Sequence, residues 1–311
     1  MERKQQMDLA GAVGMVVFAN VLAFNQVAIK LANAGIGPVF GAGLRSALAL
    51  AVLGIWLLVS GRRIKGLRQT LWPGLILGGL FSIEFILLFT SLDLTSVSRA
   101  SITFYAMPVW LALVAHFTLP GERLSSRRLL GLVLAMAGVA WALADPQSRG
   151  AGNIWGDLLA LLASWAWAGI ALNVRLTRTS ELNPEGQLFW QLAVSAVVLC
   201  VVAPLFGPLW RETGLLSLFG LAYGVLVASL GFMFWLRLMG IYPASDIASF
   251  SFLSPVMAVV FGWLVFDEPV GPDFLGALAL TSVGIVLINR RRKTRAEGPP
   301  GPGQETLRGQ N

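Results

Sequence analysis

Polar and apolar positions in this chain do not alternate on a short period. Long apolar runs are separated by short polar links. A membrane crossing takes about 20 mainly apolar residues. Ten segments approach that measure: Leu9–Leu31, Val39–Val59, Leu71–Thr90, Val97–Phe117, Leu129–Ala144, Ile154–Val174, Leu188–Phe206, Leu215–Met239, Ile247–Phe266 and Phe274–Asn289. The links are too brief to hold a soluble domain. The pattern predicts an all-α, polytopic membrane protein with ten transmembrane helices. Beyond Arg295 the chain turns Gly/Pro-rich and polar, which predicts a disordered cytoplasmic tail over 296–311.

Composition agrees with a bilayer. Of 311 residues, 56% are hydrophobic and only 13% charged. A soluble domain carries roughly twice that charged share. The net charge of +7 suggests nucleic acid at first sight. The basic residues, however, fall in short bursts between apolar runs and form no stripe, so no nucleic-acid partner is expected. With the N-terminus cytoplasmic, Arg3, Lys4, Arg62, Arg63, Lys65, Arg68, Arg123, Arg127, Arg128, Arg175, Arg178 and the run from Arg290 to Arg295 all fall on the inner side. The outer links keep isolated cations such as Arg149 and Arg211. By the positive-inside bias, both termini are expected in the cytoplasm of a bacterial inner (plasma) membrane. The basic N-terminus is followed by an apolar run without an A-x-A-like site. Because that run also holds Asn20, Asn25 and Lys30, a retained first span is expected. The single cysteine (Cys200) and single histidine (His116) exclude a disulfide framework, a thiolate metal site and a multi-histidine centre. No cofactor or metal is expected.

The chain repeats itself. RASITFYAMPVW from Arg99 resembles SDIASFSFLSPVM from Ser245. LLGLVLAMAGV from Leu129 resembles FLGALALTSVG from Phe274, and GLILG from Gly74 matches GLAYG from Gly220. The offset stays near 146 residues. It divides the chain into an N-terminal five-helix repeat, 1–148, and a C-terminal one, 149–295. Five crossings per half is an odd number, so the second half is expected to enter the membrane inverted. Inverted repeats meeting at a midplane site are a feature of many secondary transporters.

The run from Leu226 through PASDIASFSFLSPV to DEPVGPDFLGALALTSVGIVL resembles the drug/metabolite transporter superfamily in its EamA-type branch. In the first half, VAIKLANAGIGPVFGAGLRSALAL resembles that branch's first two spans, with Lys30 and Arg45 at its basic positions. Among its members, the chain resembles the YddG-like amino-acid exporters in general likeness. The resemblance implies ten helices around a central cavity and export of small metabolites such as amino acids.

Ionisable groups in hydrocarbon are functional candidates by default. Glu84 lies about 20 Å along the third span and Arg45 about 9 Å into the second from the outer side, at similar depth. A gating charge pair, a titrating Glu84 and a static ion pair are all open readings. Lys30 and Arg99, near span ends, are expected to snorkel. Asn20, mid-span, is expected to line the cavity, while Asn25 points about 140° away from it. Phe104, Tyr105, Trp165 and Trp167 are deep enough to stack on an apolar or aromatic substrate side chain, although helix packing accounts for them equally. Trp72, Trp141, Trp155, Trp190 and Trp263 read as an interfacial belt. Pro108 and Pro255 occupy matching places and are expected to act as hinges. His116 reads as a solvated interfacial residue, and the paired G-x-x-x-G motifs as close helix contacts.

An intramembrane enzyme would need a nucleophile with its base, or a metal cluster, and the sequence offers neither. A channel would show a filter or a ring of like groups, and a scaffold leaves the repeat without a purpose. The sequence therefore favours a carrier of small, uncharged or zwitterionic solutes, lodged in the lipid bilayer and functional as a monomer. A passive facilitator, or an exporter of other metabolites or drugs, is the alternative. Protons are a conceivable coupling ion through Glu84, with no second acidic site in the spans to support a relay.

Overall fold

The computed structural model describes residues 7–118, 124–144, 152–242, 250 and 252–289. Over these residues the chain is helical, with one isolated bridge between Ile36 and Trp210. In chain order the helices are α1 (Leu9–Gly35), α2 (Pro38–Ser60), α3 (Leu71–Leu94), α4 (Val97–Phe104), α5 (Met107–Thr118), α6 (Ser126–Ala144), α7 (Ile154–Leu176), α8 (Pro184–Val202), α9 (Leu215–Leu226), α10 (Phe232–Ile241), α11 (Leu253–Phe266) and α12 (Pro272–Asn289). Among the described residues nine helical stretches are long and apolar enough to cross a membrane. The expected ninth span is only partly within view. Its described part, α11, has 14 residues, while 243–249 and 251 lie outside the described residues. The tail at 296–311, the basic residues Arg3, Lys4, Arg123 and 290–295, Arg149, and the links at 119–123 and 145–151 also lie outside them.

Local chemistry sets the helix ends. The Asp8 carboxylate accepts from Gly11 N at 2.9 Å and caps α1, and the Asn153 and Asn183 side chains cap α7 and α8. Each satisfies a backbone donor with no partner in its own helix. Pro38 and Pro184 open α2 and α8, where a missing N–H costs nothing. Gly61, left-handed at φ 65°, closes α2.

Two crossings are interrupted. The fourth breaks at Tyr105–Ala106, and Pro108 sits in the first turn of the half that follows. The eighth passes through a π-helical segment, Val227–Gly231, between α9 and α10. Pro255 likewise lies in the first turn of α11, buried. Both prolines therefore lie in the first turn of a described helical segment, where they are sterically tolerated.

Several of the strongest helix contacts recur between the halves. The major partners are α6 with α12, α3 with α7, α2 with α8, α1 with α9, α3 with α8, α1 with α11, α4 with α7, α5 with α7, and α4 with α11. Exchanging each element for its counterpart in the other half carries α1–α9 onto α7–α3 and α1–α11 onto α7–α5. The pairs α2–α8 and α6–α12 map onto themselves. Small residues permit the closest crossings. A Cβ on Gly284 would lie 2.4 Å from Ala135 N, and one on Gly220 2.3 Å from Ala28 O. At Gly74 it would lie 2.5 Å from the Trp190 ring. Trp190 is only 8% exposed, so it packs between helices and does not belong to the expected belt. Trp72, Trp141, Trp155 and Trp263 are exposed. With them a wide apolar surface, including Leu58, Val59, Val201 and Leu215, faces outward, as a lipid-facing surface must.

Candidate functional site

Charged residues gather at one end of the bundle. The Arg99 guanidinium, 2% exposed, holds the fully buried Asp157 carboxylate through Nε at 3.2 Å and Nη2 at 2.5 Å. Thr95 Oγ1 donates to the same carboxylate at 2.9 Å, and Lys30 Nζ donates to the Thr95 carbonyl. Glu268 accepts from Val97 N at 2.6 Å, Ser98 N at 2.8 Å and Ser98 Oγ at 2.6 Å, placing a carboxylate at the start of α4. Nearby, Arg211 forks onto Asp93 at 2.7 and 2.9 Å and donates to the Asn33 carbonyl. The hydrogen bond to Asp93 raises the Arg211 guanidinium above its ordinary pKa, against a smaller effect of burial. These contacts tie elements of the two halves together. Lys30 and Arg99 therefore do not snorkel. Their heads are held by acceptors within reach, which a buried cation requires.

Deeper in the bundle the polar groups are differently placed. Arg45, 3% exposed, lays its guanidinium over the Phe85 ring at 3.7 Å, with Phe89 at 5.3 Å and Phe81 at 5.9 Å. The three rings stand at i, i+4 and i+8 on α3, one above another. Among the described residues Arg45 Nε and Nη2 have no hydrogen-bond partner, and neither has Asn25 Oδ1 or Gln26 Oε1. A cavity of about 10 Å³, lined by Ile29, Ala32, Arg45, Phe89, Gly220, Leu221 and Gly224, adjoins the guanidinium. That is room for about one water. Gly224 gives way to Arg45 here. A Cβ at that position would lie 3.2 Å from Arg45 Cδ and 3.9 Å from Asn25 Oδ1.

Glu84 is buried at 5% exposure, and its charge interacts with that of Arg45. Among the described residues the two form no ion pair, contrary to the static-pair reading. Glu84 leaves α3 about 100° round from Phe85, the ring on which Arg45 rests. Asn20 also departs from expectation. Its amide donates to Val16 O at 2.8 Å within its own helix, and it does not line the cavity beside Arg45. Asn25 and Gln26, which the sequence made secondary, are the buried ones.

The aromatic candidates divide. Phe104 and Trp167 stack at 4.8 Å and 13°, and Tyr105 meets Trp167 edge-on at 5.9 Å. The Tyr105 hydroxyl lies beside Ser254 and Gln26, linking this group to α1 and α11. Trp165 is elsewhere. It stacks on Trp110 at 4.5 Å and is 47% exposed, because two residues on a helix separate side chains by about 200°. His116 Nδ1 accepts from Leu124 N at 3.2 Å. Among the described residues no cluster of His, Cys, Asp and Glu could hold a metal ion.

Sequence reasoning missed Asp157, Glu268 and Asp93. Asp157 was visible as an acid in the first turn of its helix, and Glu268 within DEPV, but neither position reveals a partner across the bundle.

The EamA-like transporter family model matches this chain twice, over residues 9–144 and 154–290. The chain belongs to the EamA-like transporter family. It is therefore a multi-pass membrane transporter. An uncharacterized protein of Pseudomonas aeruginosa is 30% identical over 291 residues, covering 93% of this chain and 96% of that protein. A probable amino-acid metabolite efflux pump of Escherichia coli is 27% identical, covering 87% of this chain and 91% of the pump. A crystal structure superposes with a TM-score of 0.64 at 20% identity, covering 90% of this chain and 98% of the other. At that identity it speaks for the fold alone.

Proposed function

We propose that this EamA-family transporter exports small metabolites, amino acids foremost, by alternating access through two inverted five-helix repeats. The observation that carries the reading is the packing symmetry. Helix pairings that survive exchange of the halves allow two conformations of similar energy, with the roles of the halves swapped. The double family match supports two related halves, and the E. coli pump's name supports the substrate class. In this reading ten crossings place both termini in the cytoplasm of a bacterial inner membrane. The network of Arg99, Asp157, Glu268 and Lys30 is then the outer gate, closed.

Counterflow tests the proposal. Proteoliposomes preloaded with leucine or phenylalanine should accumulate the labelled amino acid transiently, and external unlabelled substrate should accelerate its release. Equilibration without trans-stimulation would mark a pore and end the alternating-access reading.

A further inference from the structure

The interior holds two arginines with the same geometry and different company. Arg99 uses its Nε/Nη2 edge to grip both oxygens of Asp157. On Arg45 that same edge is without an acceptor among the described residues, although the residue is equally buried. An uncompensated buried guanidinium is costly, and cation–π contact with Phe85 recovers only part of the cost. The ring contact also fixes the guanidinium plane and leaves its edge free. Two parallel N–H donors on one edge match a carboxylate and no neutral group as well.

The surroundings narrow the class further. Asn25 Oδ1, a buried acceptor with no donor among the described residues, lies beside Gly224, as does the Arg45 side chain. An acceptor in that place suits an ammonium group. The π segment Val227–Gly231, which follows Gly224 closely and packs on α1 and α2, interrupts the helix beside the cavity. Such interruptions offer a place where a helix can shift.

We infer that Arg45 and Asn25 form a main-chain recognition site for zwitterionic α-amino acids, with the carboxylate on the Arg45 edge and the ammonium toward Asn25. The inference rests on the transport reading above for its biological role but not for its test. The cavity at about 10 Å³ admits a water and no carboxylate, so the amino acid enters as α9 moves away from α2. Because the site reads the main chain, it tolerates different side chains.

The test is equilibrium binding on detergent-purified full-length protein, run beside counterflow in proteoliposomes. The probe is labelled leucine, competed by phenylalanine, leucine methyl ester, isoamylamine (leucine without its carboxylate) and 4-methylpentanoate (leucine without its amine). Phenylalanine should compete fully, and the ester and the amine at least about tenfold more weakly, since each lacks the carboxylate. The deaminated acid should fall between them. Arg45→Lys should weaken leucine binding by about tenfold or more while keeping the charge. Arg62→Gln, at a half-exposed pair with Glu185, should leave it unchanged. Wild-type competition by the ester equal to that by phenylalanine overturns the inference, and this arm needs no variant to fold. Arg45→Lys binding leucine as the wild type does overturns it too. Carboxylate-dependent binding without counterflow would sink the transport reading and leave the site standing. Counterflow with ester and acid equally effective would do the reverse, and no leucine binding at all removes the site.

Discussion

Arg99 and Arg45 are the two best-buried arginines described in this protein, at 2% and 3% exposure. Arg99 stands in a saturated network in which Asp157, Thr95, Ser98, Glu268 and Lys30 supply donors and acceptors to one another. Arg45 stands on a ladder of three phenylalanines, with a small cavity at its side. Burial alone therefore does not separate a structural charge from a binding one. What separates them is whether the fold supplies the counter-group. Where it does, removing one partner leaves a stranded ion. Where it does not, removing the ion relieves the fold and deprives the ligand.

The largest expected effect on stability is at Asp157. Asp157→Ala removes the carboxylate that Arg99 grips and should cost about 3–5 kcal/mol, read as a lowered unfolding midpoint in detergent. A midpoint within a degree of wild type would show that Arg99 finds another acceptor and would dissolve the contrast. Glu268→Gln comes next. It keeps the shape but weakens three hydrogen bonds at the start of α4, for about 1–3 kcal/mol. Its midpoint should fall between those of Asp157→Ala and wild type. Arg45→Met should shift stability by less than about 1 kcal/mol, or raise it, because an apolar side chain replaces a guanidinium whose Nε and Nη2 have no acceptor among the described residues. It should also abolish leucine counterflow. A collapse of folding in this variant, matching that of Asp157→Ala, would make Arg45 structural. Gly224→Ala sharpens the comparison at smaller scale. Its methyl would press on the flexible Arg45 side chain at 3.2 Å, leaving the midpoint unchanged and raising the half-saturation concentration a few-fold. Asn20→Ala should change neither quantity, since Asn20 is satisfied within α1. A raised half-saturation concentration there would bring Asn20 back into the pathway.

Much of the architecture was legible in the chain. Leu9, Leu71, Ile154 and Leu215 open helices where the apolar runs begin, because about 20 apolar residues in succession have one stable form in a bilayer. The interruption near Pro108 was legible as a place, though its form, a break with the proline starting the next segment, was not. Phe104, Tyr105 and Trp167 were picked for depth, and they do meet. Trp165, picked for the same depth, points to another face. Depth is a count along the axis, and it carries no information about which neighbour lies beside a residue once helices rotate and tilt against one another.

From the sequence alone came the helical class, the apolar segments, the internal likeness of the halves and the short roll of charges buried in hydrocarbon. All of these are sums or repeats along one dimension, and hydropathy reads them directly. The tertiary structure decided that Asp157 and Glu268 answer Arg99 and the start of α4, that Asn25 and not Asn20 is buried, and that Arg45 and Glu84 form no ion pair among the described residues. Those outcomes depend on the rotation of each helix about its axis and on contacts between residues as many as 171 positions apart. Such contacts are set by how the glycine-lined faces nest, and they exist only once the helices are packed.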